Sequence, residues 1–183
     1  MPNFFKMRDK KHACDGLKDM INHTNLANAS MIEIGCYMGD STKIFADSGR
    51  FTKIYAVDPW VAGYDDRDAA SRSDFKYVET AFDQFADEYD IVEKIKMTSN
   101  DALSKFDNHS VDLVYIDGDH RAEAVKNDIR NYRDIIRPGG YLAGHDWTNA
   151  KVGPAKEIRE AILEIMERHP DQTFSDCSWI YKL

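Results

Sequence analysis

The run Met31-Ile32-Glu33-Ile34-Gly35-Cys36-Tyr37-Met38-Gly39-Asp40-Ser41-Thr42 constrains this chain more than any other segment. It reads as a short apolar strand ending in Gly35, a glycine-containing turn, and a helix opening at Asp40-Ser41. Such a strand–turn–helix aims backbone N–H groups and a helix N-terminus at whatever binds above the strand end. Glycines there remove the Cβ atoms that would block close approach of a ligand. The spacing is Gly-x-x-x-Gly. It lacks the Gly-x-Gly-x-x-Gly order that suits a pyrophosphate, and it has no Lys-Ser/Thr pair for a P-loop.

The rest of the chain alternates strands and helices. Leu17, Met20 and Ile21 lie at helical spacing between about Cys14 and Asn25, and residues 31–35 form a buried strand. Asp40 to Ser48 form a helix stopped by Gly49, and Phe51 to Val57 form a second strand closed by Asp58-Pro59. A polar stretch without periodicity runs from Val61 to Ser73. Ser73-Asp74 can cap the next helix, which places Phe75, Val78, Phe82, Phe85 and Tyr89 on one face. A third strand falls near 92–98, and Asn100-Asp101 can cap a short helix through Phe106. Val111 to Ile116 is nearly continuous in apolar residues, as expected of a strand covered on both faces.

A following helix carries Val125, Ile129, Tyr132 and Ile136 along one stripe, and Arg137-Pro138-Gly139-Gly140 breaks it before a fifth strand, Tyr141 to Gly144. Glu157 to Arg168 is another amphipathic helix, and Gln172 to Leu183 reads as two short strands around Ser175-Asp176. No internal repeat or low-complexity linker interrupts the 183 residues, so one domain spanning 1–183 is expected. The expected architecture is α/β: a doubly wound, mostly parallel sheet with a C-terminal antiparallel hairpin.

Composition excludes several classes of function. No apolar run is long enough to cross a membrane, and the basic N-terminus, Met1 to Lys11, has no apolar stretch behind it, so neither membrane association nor a secretory signal is expected. The net charge of −8 argues against general nucleic-acid binding through phosphates. Cys14, Cys36 and Cys177 are scattered, without a Cys-x-x-Cys, which suggests neither a disulfide framework nor a cysteine zinc site; a reducing, cytoplasmic setting fits. A small-molecule substrate is the expected partner, and association into a homo-oligomer is left open.

In sheets of this kind ligands sit at the carboxyl ends of the strands. Asp58 ends the second strand, where an acid can accept hydrogen bonds from ribose hydroxyls; S-adenosylmethionine and a nicotinamide dinucleotide both place a ribose there. Ser99-Asn100-Asp101 follow the third strand, near where an adenine edge would lie. Asp117-Gly118-Asp119-His120 follow the fourth, and His145-Asp146-Trp147 the fifth. Neighbouring strand ends would thus bring three carboxylates and two imidazoles together. Without a cation so many acids repel and raise one another's pKa, and a divalent cation such as Mg²⁺ would relieve this. The segment Trp60 to Ser73, with Trp60 and Tyr64 for stacking and Arg67 and Arg72 for charge, has the position of a lid.

Glu33-x-Gly35-x-x-x-Gly39-x-Ser41, taken with Val111 to His120 and Arg137 to Trp147, resembles class I S-adenosylmethionine-dependent methyltransferases over about Ala29 to Trp147. The likeness is to the small-molecule O-methyltransferase group that includes enzymes acting on antibiotic sugars and cephalosporin hydroxylase-type proteins, and more distantly to catechol O-methyltransferases. It implies S-adenosylmethionine as cofactor, held along Glu33, Gly35, Cys36, Gly39 and Ser41, with Asp58 on the ribose and Asn100 and Asp101 by the adenine. It implies methyl transfer to an oxygen, with Asp117 and His120 as catalytic residues and His120 as general base. In metal-dependent members, acids at the positions of Asp117 and of the His145-Asp146 pair hold magnesium. His145 departs from that pattern, and a neutral imidazole suits a transition metal better than Mg²⁺. Two other classes share such a fold: a nicotinamide-dependent oxidoreductase, which needs a pyrophosphate turn that Gly35 to Gly39 does not supply, and a non-catalytic nucleotide-binding or interaction protein.

Overall fold

A computed structural model describes residues 15–148 and 150–183. Cys14 and the basic N-terminal run lie outside the described residues. Seven strands form one sheet: β1 (Ala29–Ile34), β2 (Phe51–Asp58), β3 (Val92–Lys96), β4 (Val111–Ile116), β5 (Ile136–Gly144), β6 (Gln172–Thr173) and β7 (Trp179–Lys182). Their order is β3-β2-β1-β4-β5-β7-β6. The first five are parallel, and β7 runs antiparallel to both β5 and β6, which is the expected closing hairpin.

Alternation along the central strands divides the core into two layers. Ile32 and Ile34 of β1 and Val114 and Ile116 of β4 face one side. There they meet Val125, Ile129 and Tyr132 of α5 (Ala122–Tyr132) and Ile158 and Ile162 of α6 (Pro154–Met166). Met31, Leu113 and Tyr115 face the other side, against Leu17, Met20 and Ile21 of α1 (Asp15–His23) and Phe45 of α2 (Asp40–Asp47). On α3 (Phe75–Ala86), Val78 and Phe82 pack with Trp60 and Ala56. Helices on both faces bury the central strands β1 and β4 almost entirely, which is why β4 reads as nearly continuously apolar.

Three local readings need correction. Ile136 does not extend the α5 stripe; it is the first residue of β5, paired with Val111. The Pro138-Gly139-Gly140 run is taken into that strand as a bulge, with the register slipping between Val111 and Leu113. The cap of α4 (Ser99–Ala102) is Thr98, whose hydroxyl accepts the Asp101 N–H at 3.2 Å, so Asn100 and Asp101 lie inside the helix. Asp74 caps α3 as expected, accepting from the N–H groups of Lys76 and Tyr77, but the helix ends at Ala86, before Tyr89.

Candidate active site

The turn after β1 is held by the residue that ends β2. Asp58 Oδ2 accepts the backbone N–H groups of Cys36 and Tyr37, each at 3.0 Å, and Oδ1 accepts that of Trp60 at 2.6 Å. Burial raises the Asp58 carboxyl, and the three N–H bonds oppose that rise. The glycines act in the same joint. Gly35 has φ +85°, and a Cβ there would stand 2.2 Å from the Asp117 carbonyl oxygen. Gly39 has φ +91°, and its Cβ would meet the Phe85 ring at 2.5 Å. At both positions a side chain would collide with protein atoms, and Gly35 also borders the cavity described next. Glu33 is fully buried and accepts the Ser41 hydroxyl at 2.5 Å, while burial pushes the Cys36 thiol up.

A cavity of about 580 Å³ opens above these strand ends. Gly35, Asp58, Asn100, Asp117 and His120 line it, drawing together the ends of β1 to β4. Glu33, Cys36, Gly39, Ser41 and Asp101 do not line it. The first four support the turn from beneath, and the Asp101 carboxylate accepts the Thr98 hydroxyl at 2.8 Å. Asn100 lies at the wall with its amide oxygen accepting from Asn131 at 3.0 Å.

At the β4 and β5 ends, donor atoms of Asp117, His120 and Asp146 lie within 4.8 Å of one another. His120 Nε2 is 3.1 Å from Asp146 Oδ2 and 3.8 Å from Asp117 Oδ1; its Nδ1 is 3.4 Å from Asp68 Oδ2. Burial works to lower the His120 pKa, but hydrogen bonding to Asp117, Asp146 and Asp68 overcomes it and holds the imidazole well above its ordinary range. Burial likewise raises Asp146 and Asp68, and the imidazoles outweigh it. Asp146 falls well below the carboxylate range, and Asp68, which also accepts from Tyr64, falls to about 2. His145 flanks this group, its Nδ1 3.2 Å from Asp146 Oδ1 and 3.7 Å from Asp117 Oδ1. Both imidazoles thus approach the two carboxylates about equally, the expected His145 through Nδ1 and His120 through Nε2. Asp146 sits at φ +68°, a left-handed conformation that costs a non-glycine residue energy and recurs at functional sites. The C-terminal hairpin braces this turn: the Trp179 indole N–H donates to the His145 carbonyl at 2.8 Å.

Asp119 pairs with Arg121 and stands outside the cluster. The third carboxylate on His120 is Asp68, from the 60–73 segment, and sequence reasoning missed it because that segment has no periodicity. The segment is well tied. Trp60 is buried, 4.7 Å from Phe82 between ring centroids, with its indole N–H donating to the Tyr37 carbonyl at 2.8 Å; it is a core residue and not a stacking platform. Arg67 pairs with Asp65 and with Glu157 of α6, and Arg72 donates to the Asp66 carbonyl. Tyr64 does line the cavity.

A model of a methyltransferase-domain family matches residues 32–147, the span that holds every residue of this site. The chain belongs to that family. It is 24% identical over 151 residues to the R132 protein of Acanthamoeba polyphaga mimivirus, an alignment covering 82% of this chain and 65% of the viral one. The chain thus spans less than two thirds of that relative. Its fold is similar to that of an Aeropyrum pernix fibrillarin with natively bound S-adenosylmethionine, at a TM-score of 0.59 and 16% identity, covering 86% of this chain and 67% of that one. It is also similar to a Staphylococcus aureus protein with a proposed caffeoyl-CoA O-methyltransferase activity, at a TM-score of 0.63 and 14% identity, covering 97% and 85%. The family and the sheet order agree with the methyltransferase class expected from the motifs. Among the described residues no helix is long and apolar enough to cross a membrane.

Proposed function

We propose that the chain transfers a methyl group from S-adenosylmethionine to an oxygen of a small molecule. The observation that carries this reading is one cavity whose lining joins Gly35 and Asp58 to Asp117 and His120. The cofactor would lie along Gly35 and Asp58, with its methyl toward Asp117 and His120. Methyl transfer from a sulfonium is an in-line displacement in which the protein chiefly positions donor and acceptor. A hydroxyl acceptor needs help in losing its proton.

The carboxylates of Asp117 and Asp146, with His145 Nδ1 3.7 and 3.2 Å from them, fit a divalent cation: carboxylates outnumber the cationic groups around them, and mixed oxygen and nitrogen ligands suit Mn²⁺ or another transition metal as well as Mg²⁺. When bound, such an ion supplies Lewis acidity that lowers an acceptor hydroxyl's pKa. His120 is the base in this reading. Without a cation the ring is held protonated between Asp68 and Asp146. A cation that takes up the Asp117 and Asp146 carboxylates would remove that hold, leave Asp68 to orient the ring through Nδ1, and free Nε2 to take the acceptor's proton. The acidic chain disfavours a polyanionic acceptor such as nucleic acid. The free thiols of Cys36 and Cys177 suit a reducing, cytoplasmic setting.

Calorimetric titration with S-adenosylmethionine, S-adenosylhomocysteine and NAD tests the reading. Binding of the first two without NAD is expected. Binding of NAD alone points to an oxidoreductase, and binding of none to an interaction protein.

A further inference from the structure

Asp128 sits on α5, only 4% exposed, and lines the cavity beside Thr98, Ser99 and Asn100 at the end of β3. It forms no ion pair among the described residues, and its side chain hydrogen-bonds with Ser99. A carboxyl group with two oxygens and about four lone pairs is not used up by one hydroxyl. Burying such a group without a cationic partner is costly, and here the cost falls at a cavity wall. Ile34, Val57, Pro59 and Val61 line the same cavity and offer apolar surface of the kind that covers the faces of a flat heterocycle. Asp101, the acid expected at this place, turns its carboxylate to Thr98 instead.

We propose that Asp128 reads the amidine edge of the cofactor's adenine, accepting a hydrogen bond from the exocyclic amine; the assignment rests on S-adenosylmethionine being the ligand. An adenine edge presents an amine donor next to a ring-nitrogen acceptor. A carboxylate matches the donor, and a carboxylic acid matches both. Burial pushes the Asp128 carboxyl up to about 6, with a small contribution in the same direction from Asp119 and an opposing one from Ser99, so the acid form is within reach near neutral pH. A 6-oxopurine puts an acceptor where adenine has its donor, and two facing oxygens leave the buried carboxylate worse off than water would.

The test is calorimetric titration of the full chain with S-adenosylhomocysteine and with S-inosylhomocysteine, which carries a 6-oxo group in place of the amine. The wild-type chain is expected to favour the adenosyl compound by about tenfold or more. In Asp128→Asn, whose amide can donate to the 6-oxo group, that ratio is expected to fall at least tenfold. A wild-type preference under threefold overturns the assignment whatever the variant does. So does a folded Asp128→Asn, verified by circular dichroism, that keeps the wild-type ratio; Asp128 then only braces α5 on Ser99. If the wild-type chain binds neither nucleoside, the cofactor reading itself fails, and this inference with it.

Discussion

The carboxylate of Asp58 accepts the backbone N–H of Cys36 at 3.0 Å, so the end of β2 and the turn after β1 are one joined piece. The acid that a motif reading assigns to a ribose is also the clasp of the turn after β1. The two roles are compatible, because Oδ1 accepts from Trp60 alone and a carboxylate oxygen can accept two donors. They also make the position unforgiving. Asp58→Ala leaves the N–H groups of Cys36, Tyr37 and Trp60 without their acceptor, and is expected to cost about 3 kcal/mol of stability. It should also weaken S-adenosylhomocysteine binding, by about tenfold or more. Urea unfolding and calorimetry measure the two separately. Unchanged stability with weakened binding would leave Asp58 a ligand contact alone.

The glycine turn gives a graded prediction. Gly35→Ala combines φ +85° with a Cβ 2.2 Å from the Asp117 carbonyl, a backbone atom that cannot swing aside. A loss of about 3 kcal/mol or more is expected. Gly49→Ala shares the left-handed backbone, at φ +66°, but its Cβ would meet open space, so the loss should be about 1 kcal/mol. Equal losses for the two variants would mean that backbone conformation, and not the approach of β4 to β1, explains Gly35.

These joints show how much the sequence could reveal. The order of strands and helices was legible because the apolar periods differ: continuous in β4, helical in α5. So were Asp117, His120 and Asp146, because strand ends in a doubly wound sheet converge. What sequence could not supply was the direction of each side chain. Ile136 fits the α5 stripe by spacing and lies in β5 instead, since a bulge absorbs Pro138. Asp101 belongs to a cap, and Trp60 to the core. Asp68 reaches His120 from a segment without apolar periodicity, held by Trp60, Asp65 and Arg67. Asp128 falls on α5 among residues that read as helix surface and core, and only the packing of α5 beside Ser99 turns it to the cavity.

His120 is the position whose loss should separate chemistry from binding. His120→Ala is expected to bind S-adenosylhomocysteine as the wild-type chain does and to lose about 10²–10⁴-fold in turnover of an oxygen acceptor. A variant that turns over normally would move the base to His145 or Asp117.

Metal binding has a readout independent of turnover. Titration with Mn²⁺ should show one site, and Asp117→Asn and Asp146→Asn should each abolish it while the circular dichroism spectrum stays unchanged. His145→Ala should weaken Mn²⁺ binding, because its Nδ1 stands 3.2 Å from Asp146 Oδ1 and 3.7 Å from Asp117 Oδ1. Wild-type protein that binds no divalent cation would leave a metal-free cluster of carboxylates and imidazoles.

Asp128 makes the last prediction, on stability and pH. Its carboxyl has an ordinary value of 3.8 and rises to about 6 in the fold through burial. The folded state therefore holds this proton more tightly than the unfolded chain does. Stability falls wherever the folded state binds more protons as pH rises, so the penalty is absent below about pH 4, grows up to about pH 6, and is complete above it. A rise of about two units corresponds to about 3 kcal/mol at neutral pH. Asn at this position keeps the shape and can still bond Ser99, without an ionisable group. Asp128→Asn should therefore exceed the wild-type chain in stability by up to about 3 kcal/mol at pH 7.5. At pH 4 the two should be nearly equal. Urea unfolding of both proteins at the two pH values measures the difference, and every other titrating group cancels in the comparison. A difference that does not change with pH would mean that Asp128 is already ionised without penalty in the fold. A carboxylate kept at the cavity wall despite that penalty is one whose stabilising partner is the ligand.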